Sequence, residues 1–94
     1  MIFLVSFTAT LGILLNQTYQ KYQSELVVRQ QVKEKLIYWE SVISQHPQFP
    51  VAYYEAAVYA TRLSEHEKAK DFIEKALFID PNFFEAEVLA KELE

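Results

Sequence analysis

No cysteine, one glycine and three prolines occur in the 94 residues of this chain. The missing cysteines exclude a disulfide framework and any thiolate zinc site. So little glycine and proline starves the chain of the tight turns that hairpins and barrels need. Nine basic and thirteen acidic side chains give a net charge of -4. That balance offers no electrostatic reason to bind nucleic acid. There is no His-Glu-x-x-His, no glycine-rich phosphate loop and no nucleophile elbow. His46 precedes Pro47 and suits a turn. His66 lies between Glu65 and Glu67, whose side chains face other directions round a helix. No enzyme is therefore expected: no catalytic residue, no cofactor and no metal.

What is plentiful is Leu, Ala, Glu, Lys and Gln, all good helix formers. The expected fold class is all-α. The chain is one small domain at most, and a domain of this size is marginal alone.

Residues 1–15 carry no charged side chain, and their polar side chains are only hydroxyls. The first charge is Lys21. Counted to Tyr19, the stretch makes roughly 28 Å of helix at about 1.5 Å per residue. A bilayer core is about 30 Å thick. Residues 1–19 thus read as a single-pass membrane anchor, with Tyr19 and Tyr22 at the interface. A cleaved signal peptide fits less well, for want of a basic leader and a small-residue cleavage site. A buried core helix fits less well too, because apolar residues run all round it. A truncated start would account for the missing leader. Positive-inside places the C-terminal part in the cytoplasm, a truncated leader reverses this, and the side is left open.

Residues 20–35 read as a polar helical stalk. Leu15, Tyr19, Tyr22 and Leu26 are spaced four, three and four apart, a short coiled-coil-like stripe for stalk pairing. The next heptad positions are Arg29 and Lys33, and the stripe fades. A second stripe runs through Val28, Val32, Leu36, Trp39 and Ile43. One long helix whose buried face rotates is the simpler reading, and a self-pairing coiled coil the other.

Sliding the chain on itself by 34 residues aligns Glu40 with Glu74, Pro47 with Pro81, Phe49 with Phe83, Ala52 with Ala86 and Ala56 with Ala90. His46-Pro47-Gln48-Phe49 recurs as Asp80-Pro81-Asn82-Phe83. Pro50 suits a first helical turn, and Pro81 holds Asp80 out of the helix before it. Ser64 and Glu67 have the spacing of a capping box for a helix starting at Glu65.

A 34-residue helix-turn-helix period resembles the tetratricopeptide repeat family. Residues 50–81 form one full unit, 36–46 the second helix of a partial unit, and 82–94 a terminal helix. By that resemblance the packing positions are Trp39, Tyr53, Ala57, Ala69, Phe72, Ile73, Ala76, Pro81 and Phe83. Ala60 departs from the family's tyrosine, and Leu63-Ser64 stands where a glycine is common. The layout is similar to small single-pass tetratricopeptide proteins of bacteria, and more distantly to cell-division proteins of the septum-initiator type. The resemblance implies a concave face formed by Val51, Tyr54, Val58, Thr61 and Arg62, taking a protein or peptide partner. In the competing reading, Tyr54 and Val58 pack on the stalk. The expected function is a membrane-held scaffold or adaptor. The alternative is a structural subunit pairing through its stalk, with homo-oligomerisation open in either case.

Overall fold

The computed structural model describes the backbone of residues 2–94 and the side chains from residue 8 onward. The described chain is all helical: α1 spans Ile2–Gln45, α2 Pro50–Arg62, α3 His66–Ile79 and α4 Phe84–Glu92. Short turns reverse the chain between them, so neighbours run antiparallel. α2 packs on α1 and α3, and α4 packs on α3 and touches α2. The Cα envelope measures 71 × 27 × 18 Å, a rod with a helical head at one end.

α1 is continuous because nothing interrupts it. Its one glycine, Gly12, has open space around it. Every residue over 8–22 is exposed, including Leu11, Ile13, Leu14 and Leu15. The anchor expected over residues 1–19 falls in part outside the described side chains. Among the described residues no helix is long and apolar enough to cross a membrane. The described apolar run is short, giving way to Asn16 and Gln17. Farther along, α1 turns part of its second stripe inward. Leu36 is 3% exposed, and Trp39 and Ile43 pack against the core, while Val28 stays in solvent.

The core is made of small residues. Seven of its eleven buried side chains are alanines: Ala52, Ala56, Ala57, Ala60, Ala69, Ala76 and Ala86. Ile73 is the largest fully buried one. With little more than methyl groups between them, α2 and α3 approach closely, and larger side chains close the edges. The Tyr53 and Phe72 rings stand 6.5 Å apart. The Tyr53 hydroxyl donates to the Pro47 carbonyl at 2.9 Å, so this buried polar atom is satisfied. Phe72, Phe83 and Trp39 are half-buried packing residues, whereas Pro81 is exposed and acts on the backbone alone.

The sequence repeat is also a repeat of conformation. The Phe49 N–H donates to the His46 carbonyl at 3.1 Å, and the Phe83 N–H to the Asp80 carbonyl at 3.2 Å. Both phenylalanines are extended residues that open a helix. Pro50 is the first residue of α2, where its missing N–H loses no helical bond. Asp80 is extended before Pro81, and its side chain accepts the Asn82 N–H at 3.1 Å.

One expectation is corrected at the α2–α3 turn. Ser64 and Glu67 form no capping box. Glu65 is the residue that precedes α3, no side chain caps the helix, and Glu67 pairs instead with Lys70 at 3.7 Å. Ser64 has φ 62°, in the left-handed region. There its N–H reaches the Thr61 carbonyl at 3.0 Å, and the Glu65 N–H reaches Ala60 at 2.9 Å. This is the paired backbone closure that ends a helix on a left-handed residue, and it outweighs one side-chain cap.

Two stability changes follow. Ser64→Gly relieves a conformation unfavourable to L-residues and should raise unfolding stability by about 1 kcal/mol in denaturant titrations. Ala76→Leu forces a branched side chain into a fully buried position. It should lower stability by about 1–3 kcal/mol on the same measurement.

Candidate functional site

α4 lies across the end of α2, and a shallow groove of about 290 Å³ runs between them. Tyr54, Val58, Thr61 and Arg62 line its α2 wall, and Glu85, Val88, Leu89 and Glu92 its α4 wall. The Tyr54 ring packs on Phe83 at 5.2 Å, with planes 45° apart. Phe83 is fixed by the turn described above, so that turn sets how α4 leans on α2.

Four of the five residues expected on the binding face therefore share one groove. The fifth, Val51, lies near the start of α2, is exposed, and does not line it. Tyr54 and Val58 line the groove against α4. The Thr61 hydroxyl donates to the Ala57 carbonyl at 2.8 Å, which occupies its hydrogen. The Arg62 guanidinium lies over the Tyr59 ring at 5.2 Å.

The α4 wall is absent from the sequence-based residue set, although the signal for it was present. Shifting Val51, Tyr54 and Val58 by 34 residues gives Glu85, Val88 and Glu92, all of which line the groove. Tyr54 with Val88 and Val58 with Glu92 are thus the same positions one period apart on the two walls. Apolar side chains make the floor, and one guanidinium and two carboxylates stand on the walls. Such a surface suits a peptide or helix that is apolar on one side and charged at its edges.

The stalk-pairing residues are separate from this groove. Tyr19 and Tyr22 are 60% and 58% exposed, and Leu26 is 42% exposed. Two side-chain arrangements nearby were not foreseen. Lys68 of α3 reaches Glu40 of α1 at 3.3 Å, tying α3 to the end of α1. Lys35 of α1 joins Arg62 over Tyr59, with its Nζ 5.7 Å from the ring centre. Both depend on how the helices are placed side by side, which no local pattern encodes. Among the described residues, no three His, Asp or Glu side chains converge on a point that could hold a metal ion.

No family model, no curated protein and no solved structure matches this chain.

The Tyr54–Phe83 contact is the hinge pin of the groove. Phe83→Ala should cost about 2 kcal/mol, combining lost ring packing with lost apolar burial. In hydrogen exchange, the α4 amides should lose protection while those of α2 and α3 keep theirs.

Proposed function

We propose that this chain is a membrane-held protein-interaction module of the tetratricopeptide type, binding a partner segment in the α2–α4 groove. One observation carries the reading: the groove brings Tyr54 together with Val88 and Val58 with Glu92, positions 34 residues apart on its two walls. A period of that length, one helix-turn-helix per unit, is the tetratricopeptide pattern. The alanines at the α2–α3 contact and the paired proline turns support it. A groove repeated in this way reads an extended or helical partner along its length, with Tyr54 and Val88 as apolar contacts and Arg62 as a carboxylate clamp.

The anchor part of the reading rests on the uncharged stretch before Lys21. Exposed Leu11, Ile13, Leu14 and Leu15 lie within it. Anchoring raises the partner's local concentration, so a small groove with weak contacts suffices. No residue set in the sequence supports catalysis, and the reading is of a binding protein.

A second reading has its own observation. Tyr19, Tyr22 and Leu26 form an exposed apolar stripe outside the helical head. It supports a structural subunit that pairs through its stalk with another single-pass helix.

Affinity capture from native membranes separates the two. Tyr54→Ala with Arg62→Ala should reduce partner recovery by about tenfold or more, the loss of two central contacts. Retention of partners by that variant, with loss only on changing Tyr22 and Leu26, would replace the adaptor by the stalk-paired subunit.

A further inference from the structure

A second, larger hollow of about 650 Å³ lies along α1 where it meets Arg62 at the end of α2. Val28, Val32, Lys35, Tyr38 and Arg62 line it. Its apolar side chains are poorly covered: Val28 is 58% exposed and Tyr38 60%. Two cations share one aromatic ring at its edge, with Lys35 Nζ 5.7 Å and Arg62 Cζ 5.2 Å from the Tyr59 centre. The ring attracts each of them, but they repel one another. Glu34 is the only acidic side chain in the lining. An anionic helix laid here would relieve the repulsion and cover Val28 and Tyr38.

The 34-residue period identifies what is missing at that place. α2 and α4 are equivalent first helices, and α3 and the 36–45 part of α1 are equivalent second helices. α3 rests on the first helix α2. The stalk-derived second helix has α2 on one side, and the hollow, lined by α1 residues from Val28 to Tyr38, opens at its start. A first helix of the right charge exists in the molecule. α4 carries Glu85, Glu87, Glu92 and Glu94 in its span and at its end, against Lys91 alone. Glu85 and Glu92 face the groove already described and Glu94 borders a small hollow against Lys70 and Glu74 of α3, which leaves Glu87 as the free carboxylate of α4. The lengths agree as well. α4 has nine residues, about 13 Å of helix, and the stretch from Val28 to Tyr38 spans about 15 Å.

We propose that this hollow receives α4 of a second copy, so that copies join head to tail through an acidic helix on a basic and apolar seat. The interface is heterologous and open, and can extend into a row. Its direction suits a membrane protein. The incoming α4 lies antiparallel to the receiving α1, and within its own chain α4 is antiparallel to α3. The α1 rods of successive copies then point the same way, as anchoring in one membrane requires.

The test uses the full chain in detergent micelles, with mass read by sedimentation. Wild type should associate as concentration rises and dissociate with added salt. Lys35→Glu with Tyr38→Ala spoils the seat, and Glu87→Lys with Glu94→Lys spoils the acidic helix. Each variant alone should be monomeric, with unchanged circular dichroism. Mixed, they should form a 1:1 dimer and nothing larger, since one intact seat meets one intact helix. The proposal is overturned by a wild type monomeric at every concentration or by a mixture that stays monomeric. It is equally overturned if either variant still self-associates, and loss of that association on Leu26→Asp would assign it to the stalk stripe.

Discussion

The close approach of α2 and α3 is the constraint on which the other features depend. Alanines at the contact let two backbones come together with almost no side chain between them. Dispersion and burial then come from many short contacts and from rings that close the edges. Tyr53 and Phe72 can seal the pair only because the alanines leave the edges within reach of one another. A leucine-rich core would hold the helices farther apart and displace the Tyr53 hydroxyl from the Pro47 carbonyl.

α1 carries two roles on one uninterrupted helix. Its last turns supply Leu36, Trp39 and Ile43 to the head, and its earlier turns project away with their apolar side chains in solvent. A small head with few large buried side chains gains from any further burial. The exposed stalk stripe, the α1–α2 hollow and the α2–α4 groove are three surfaces where that burial can come from other molecules. They differ in chemistry: the stripe is aromatic and aliphatic, the hollow basic over an apolar floor, and the groove mixed in charge. Charge is also uneven along the chain, with the basic side chains Lys21, Arg29, Lys33 and Lys35 on the stalk and nine of the thirteen carboxylates from Glu65 onward. The stripe stands apart from the other two, whereas the hollow and the groove meet at Arg62.

Much of the architecture was legible beforehand, for reasons visible in particular residues. Pro50 and Pro81 mark a helix start and a helix end because proline fixes its own backbone and that of the residue before it. The 34-residue recurrence of Pro47, Phe49 and Ala52 located the second copy of the turn, and the structure repeats its hydrogen bond. The capping box was the misleading signal. Ser-x-x-Glu spacing is local, whereas the choice made at Ser64 was to close the preceding helix through its backbone. Half of the groove was named from the sequence, and the same shift applied to Val51, Tyr54 and Val58 gives the α4 wall apart from Leu89.

The sequence by itself determined that the chain is helical, where the turns between its helices fall, and that Ala57, Ala69 and Ala76 face a neighbour. Propensity, proline geometry and periodicity act over a few residues or at a constant spacing, so they can be read along the chain. Only the tertiary structure decided that Tyr54 meets Phe83, that Lys68 reaches Glu40, and that Lys35 and Arg62 share one ring. Those pairings depend on the tilt and rotation of whole helices. That placement is set by the sum of many small contacts across the alanine seam, and no single segment of the chain contains it.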